Sequence, residues 1–163
     1  LESKPNSMEM NEKLIEVLND LVEINNNRVT CYERAAERSK NLDADLQSIF
    51  NNLANDSRKY AAELTEEINK SEGTFTSDSR SKGKIYQPWM DAKATFSGDD
   101  RQSILELCEF AEDTVQKKYN KAFASGAEMD ARIRTIITHQ KAHLKKAHKL
   151  IKNYRDAHWK MIA

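Results

Sequence analysis

The sequence predicts an all-α protein: four long helices packed as a bundle, with a long crossover containing a short helix between the second and third. Three observations lead there. Only four glycines and two prolines occur in 163 residues, so few positions favour turns and long uninterrupted elements follow. Apolar residues recur along four stretches at i, i+3, i+4, i+7, the spacing that places them on one helical face. The connection between the second and third stretches is about 27 residues, far above the few residues usual between elements of a compact domain.

The first helix is expected from about Met10 to Ser39, with Leu14, Val17, Leu18, Leu21, Val22, Ile24, Tyr32, Ala35 and Ala36 among its apolar positions. Lys40, Asn41 and Leu42 make a short corner, and Asp43 can cap the next helix by accepting a bond from its free N–H groups. That second helix, about Asp43 to Ser71, carries Leu46, Phe50, Leu53, Tyr60, Leu64 and Ile68. So short a corner forces the two into an antiparallel hairpin. Residues 72–84 are rich in Ser, Thr, Gly and charge and read as loop, while Ile85 to Phe96, with Pro88, Trp89 and Met90, reads as a short apolar helix. Gly98, Asp99 and Asp100 open the third helix, about Asp99 to Ser125, with an acidic first turn that suits the helix dipole. Gly126 ends it. The fourth helix, about Ala127 to Met161, carries Ile133, Ile137, Leu144, Ala147, Ile151 and Tyr154.

Lengths then decide topology. Helices of about 27–35 residues extend roughly 40–50 Å at about 1.5 Å per residue. A connection long enough to travel that distance makes the second and third helices parallel, as in ferritin-like bundles. Residues 1–9 read as a disordered leader or cloning remnant, and 10–163 as a single four-helix-bundle domain.

Composition excludes more than it identifies. Charged residues make up 32% of the chain, but 26 basic residues balance 26 acidic ones, so no global field argues for nucleic acid or an anionic membrane. No apolar run approaches a membrane span, and no signal-peptide core is present. A cytoplasmic location is the expectation. Cys31 and Cys108 lack CxxC spacing and read as reduced core thiols, with a disulfide between them left open. There is no Gly-rich phosphate loop, nucleophile elbow or HExxH, so no catalytic residue is assigned and the reading leans away from an enzyme.

Each apolar stripe is interrupted by polar residues at about mid-height: Asn25 on the first, Ser57 and Tyr60 on the second, Glu112 on the third, Gln140 and His143 on the fourth. Aligned, they form one buried polar layer. A di-iron or di-manganese bundle needs several carboxylates there to neutralise the metals, commonly one Glu from each of two helices and a Glu-x-x-His pair from each of the others. Here only Glu112 is an in-phase acid. Gln140 to His143 has the pair's spacing, but its first member is a neutral amide. One reading is a hydrogen-bonded layer in which the six residues satisfy one another and fix helix register. A second is an iron or manganese site held by Glu112 and His143, with help from carboxylates such as Glu23, Glu33, Glu63 and Glu67, and a third is a different helix register in which these residues face water.

Tyr32, Tyr60, Tyr119 and Tyr154 place one tyrosine on each stripe, where core packing with a hydroxyl at a polar partner accounts for them. Lys141, Lys145, Lys149 and Lys152 line an outer face of the fourth helix. They could form a phosphate-binding stripe, but lysine is ordinary on a solvated face and acids on neighbouring helices cancel the field, so nucleic acid is not the expected partner. His139 and His148 are expected at the surface.

The segment Leu14 to Ala35, the Ser57-to-Tyr60 segment, Trp89 to Lys93, Cys108 to Asp113 with Tyr119, and Gln140 to Asp156 together resemble an uncharacterised bacterial four-helix-bundle family of the ferritin-like superfamily. The resemblance runs from about Glu12 through nearly the whole chain. It departs at Tyr86, Gln87 and Pro88, where a more basic segment with Gly is expected. It implies a ferritin-like fold in a small bacterial protein and brings no agreed activity. The function expected on these grounds is a structural, interaction or stress-associated bundle protein without a complete di-iron site and without a cofactor, plausible as a homodimer. The alternative is a metal-binding oxidoreductase or storage module using Glu112 and His143.

Overall fold

The computed structural model describes residues 7–71 and 100–162, with side chains described for 11–71 and 100–157. Four helices account for nearly all of them: α1 (Ser7–Ser39), α2 (Ala44–Lys70), α3 (Arg101–Ala124) and α4 (Ala131–Ile162). No strand occurs among the described residues. The expected leader, residues 1–9, is shortened by α1, which starts at Ser7 rather than Met10. The expected loop at 72–84 and short helix at 85–96 lie outside the described residues.

Side-chain caps set three of the helix starts. Asp43 Oδ1 accepts from the backbone N–H of Asp45 and Leu46 at 3.0 and 3.1 Å. Asp100 accepts from Ser103 N at 2.8 Å, so α3 opens on a cap, one residue later than the expected Asp99, and has no acid in its first turn. Asp130 accepts from Ile133 N at 2.8 Å, which delays α4 from the expected Ala127 to Ala131. Each carboxylate satisfies an N–H that has no partner inside its own helix. Gly126 follows α3 with φ +75°, a left-handed conformation that costs a residue with a Cβ.

Cross-helix contacts fix direction. On α1 and α2, Asn11 bonds Ser71 O and Ser57 bonds Asn25, so the two run antiparallel. Asn25 bonds Tyr119 and Tyr32 bonds Glu112, so α3 also runs opposite to α1. Gln140 bonds Tyr119, while Arg155 reaches Glu109, so α4 runs opposite to α3. Helices α2 and α3 are therefore parallel. The chain leaves α2 beside the start of α1 and enters α3 at the other end, where Arg101 Nε lies 3.5 Å from Asp43 Oδ2.

The core is in two halves. One gathers Leu14 to Ile24 of α1 with Leu64, Ile68, Val115, Ala122 and Ile137. The other gathers Tyr32, Ala35, Phe50, Leu105, Cys108 and Ile151. Between them lies a belt of buried polar groups. No helix among the described residues is long and apolar enough to cross a membrane.

Candidate functional site

The belt is built by stripes that step alternately by three and four residues. On α1 that stepping runs Leu18, Leu21, Asn25, Arg28, Tyr32, Ala35, all essentially inaccessible. On α2 it runs Phe50, Leu53, Ser57, Tyr60, Leu64; on α3, Leu105, Cys108, Glu112, Val115, Tyr119; on α4, Ile137, Gln140, Leu144, Ala147. Steps averaging 3.5 residues keep one side of each helix facing its neighbours, so every polar residue on the sequence of steps is carried inside.

One hydrogen-bonded chain then crosses the bundle. Arg28 Nε donates to Glu112 Oε1 at 2.7 Å, and Tyr32 OH donates to the same oxygen at 2.5 Å. Arg28 Nη1 donates to Ser57 Oγ at 2.7 Å and to Leu53 O at 3.2 Å. Ser57 OH passes on to Asn25 Oδ1 at 3.0 Å. Asn25 Nδ2 donates to Tyr119 OH at 2.9 Å, and Tyr119 donates to Gln140 Oε1 at 2.7 Å. Gln140 Nε2 closes the chain on Tyr60 O at 3.4 Å. Tyr60 thus joins through its backbone. The belt draws on all four helices, and its one ion pair has side-chain exposures of 1% and 0%.

Electrostatics follow from that burial. Desolvation opposes the charge on Arg28, but Glu112, Tyr32 and Tyr60 outweigh it and hold the guanidinium pKa above its ordinary value. Burial pushes the Tyr32 phenol far up, with the charge of Glu112 adding to it. Burial likewise raises Tyr119, and raises Tyr60 to about 12. The phenols therefore stay protonated, and those of Tyr32 and Tyr119 act as donors. Cys31 and Cys108 are buried free thiols. Burial, followed by Glu112, pushes Cys31 up to about 12; burial, followed by Cys31 and Glu112, raises Cys108 as well. Since the thiolate is the reactive form, a disulfide-exchange reagent at pH 8 is expected to label neither thiol rapidly in the folded protein and both on unfolding. Rapid stoichiometric labelling of the folded chain would show that the belt opens to solvent.

One sequence expectation is corrected here, and one residue is added. His143 does not face Glu112: it lies exposed on α4 beside His139, the two rings tilted by 45° with centroids 4.4 Å apart. The stepping explains this, since Gln140 and Leu144 are in phase and position 143 is one residue off. The group that does face Glu112 is Arg28, a residue not singled out from the sequence. Its signal was nonetheless present, three residues after Asn25 and four before Tyr32.

The belt does not fit the metal site considered from the sequence. A guanidinium holds Glu112 Oε1, and the other ligand positions, Asn25, Ser57 and Gln140, are neutral. Glu112 Oε2 is enclosed and has no hydrogen-bond partner, yet a divalent ion beside it would sit against the Arg28 charge with no second acid to offset it. Two of the four candidate edge acids are paired with cations of their own. Glu67, buried, lies 3.0 Å from Arg132 and 3.6 Å from Lys70, and Glu33 is exposed beside Arg58.

A different carboxylate–histidine cluster, absent from the sequence reading, lies on the α3–α4 face. Glu109, Asp113 and His148 bring one ligand atom each to within 4.8 Å of one another. His148, expected at the surface, is half-buried there, with Nε2 at 2.7 Å from Asp113 Oδ1.

Comparison with known proteins places this geometry in a family. A search of the curated proteins finds no match. The family described as "Domain of unknown function (DUF2383)" matches residues 13–125, which carry most of α1, all of α2 and α3, and the belt residues from Asn25 to Tyr119. With well over half of its length matched, the chain belongs to that domain family of unknown function.

Proposed function

We propose that this protein is a ferritin-like bundle whose mid-height layer has become structural, and that it acts through its surface as an interaction module rather than as a redox enzyme. The observation that supports this is the Arg28 guanidinium on Glu112, in the layer where a di-metal bundle needs carboxylates. A network that spends its donors and acceptors internally specifies which helix faces meet and at what height. Of the belt carboxylate, only Glu112 Oε2 is left without a hydrogen-bond partner, and it lies on the group that Arg28 already neutralises.

The outer face of α4 is the natural contact surface. Lys145, Lys146, Lys149 and Lys152 are exposed there, and Asp156 is the sole acidic residue of the helix. An acidic partner surface suits it, and association through it is expected to weaken with salt.

The test is anaerobic Fe(II) titration of the full chain followed by oxygen, with metal content measured on protein purified without chelator. The expected result is no acceleration of iron oxidation and no metal whose retention depends on Glu112. Stoichiometric iron or manganese that survives His148→Ala but is lost in Glu112→Gln would overturn the reading in favour of a metal centre in the belt. A salt-sensitive shift of a nucleic acid probe, abolished by Lys145→Glu with Lys149→Glu, would identify the partner of the α4 face as nucleic acid.

A further inference from the structure

Glu109 and Asp113 are four residues apart on α3, so their side chains lie one above the other on the same face. His148 meets them from the antiparallel α4. We infer that these three residues form a binding site for one divalent transition-metal ion of borderline softness, such as Zn²⁺ or Co²⁺, in the groove between α3 and α4.

The donor set argues for that class. Two carboxylates and an imidazole balance a double positive charge, and the nitrogen ligand favours a borderline ion over magnesium or calcium, which take oxygen donors. Three protein ligands with solvent completing the shell is a common zinc arrangement. The geometry of His148 is a second and separate indication. Its Nε2 is enclosed and lies 2.7 Å from Asp113 Oδ1, yet no hydrogen bond runs between them. A simple imidazolium–carboxylate pair would aim the ring N–H at the oxygen. Here the ring N–H is not aimed at Asp113, which leaves Nε2 available to an ion; ligands about 2.0–2.1 Å from a tetrahedral zinc lie roughly 3.3 Å apart, so the two groups separate slightly when the ion enters. Asp113 is about half exposed (51%), which gives an ion a path from solvent.

Arg155 is the competitor. It bonds Glu109 Oε2 and also Asp156, the latter at 3.1 Å. In the metal-free chain its guanidinium supplies the positive charge beside Glu109, and Asp156 holds it in place when a metal takes the carboxylate. The site is therefore tuned by Arg155, and removing that charge favours the ion.

The experiment is titration of the chelator-stripped full chain with Zn²⁺ by calorimetry and with Co²⁺ by visible absorption. One ion per chain is expected. His148→Ala and Asp113→Asn should each weaken binding about tenfold or more, since even residues behind the ligands contribute on that scale. Arg155→Gln should tighten it severalfold. Asp113 is exposed, so its variant retains the fold and carries the test should His148→Ala lose helicity. The exposed His139–His143 pair is an alternative ligand set, and its double alanine variant should leave binding unchanged. Absence of binding by the wild-type chain overturns the inference. So does loss of binding in the His139/His143 variant with retention in Asp113→Asn, or weaker binding in Arg155→Gln.

Discussion

Replacing Arg28 with Met is expected to destabilise the folded chain by about 3–5 kcal/mol, the range for removing one partner of a buried ion pair. The cause is what remains. Glu112 is wholly enclosed, one of its oxygens already lacks a partner, and the other would keep only the Tyr32 hydroxyl. Ser57 Oγ and Leu53 O would lose their donor as well. Glu112→Leu alone should cost a similar amount, because it strands the guanidinium instead. Combining Arg28→Met, Glu112→Leu and Tyr32→Phe removes the charges together with the phenol that would otherwise be orphaned. That triple variant should return to within about 1–2 kcal/mol of the wild type, since apolar replacements of buried pairs are often neutral or better. Urea unfolding followed by circular dichroism, with the full set of single and combined variants, measures the coupling. Additive effects, with the triple variant as unstable as the sum of its parts, would mean the pair is solvated and the belt is not a closed network.

The belt also shows what the sequence could and could not reveal. Asn25, Ser57, Glu112 and Gln140 are polar residues at in-phase positions of apolar stripes, so periodicity alone brings them together. Asp43 was legible as a cap because its carboxylate precedes a helical stripe without a residue to spare. Asp130 was not, since the fourth helix was expected to start earlier, at about Ala127, which places Asp130 inside it. Arg28 was not singled out at all, and the i, i+3 Gln–His pair argued His143 into the core. A strict three-and-four stepping assigns both correctly, because it asks where a residue points before asking what it is. The Glu109–Asp113–His148 cluster had no comparable signal. Its members sit at the flank of their stripes and meet only because α3 and α4 are antiparallel at a register set by Tyr119 on Gln140 and Arg155 on Glu109.

Gln140→Glu is the sharpest test of whether this layer must be neutral. The substitution writes Glu-x-x-His into α4 at the spacing a di-metal bundle uses, yet His143 remains on the outside of the helix. The new carboxyl would keep the Tyr119 donor but lose the amide that donates to Tyr60 O, and it would face that carbonyl with like polarity. Fully buried without a cation beside it, it should hold its proton well above the ordinary glutamate range. A rise of about three pK units corresponds to roughly 4 kcal/mol. The sign follows from proton uptake. Below about pH 4.3 the carboxyl is protonated in both states and the variant should approach the wild type. Above that the unfolded chain ionises while the folded one does not, so the variant loses about 1.4 kcal/mol per pH unit until the raised folded pKa is passed. Stability measured from pH 4 to 8, read as variant minus wild type so that other groups cancel, gives this curve. A flat difference would place position 140 in contact with water. A variant that instead gains stability on adding Fe(II) or Mn(II) would show that one carboxylate suffices to restore a metal site, and that Arg28 yields to it.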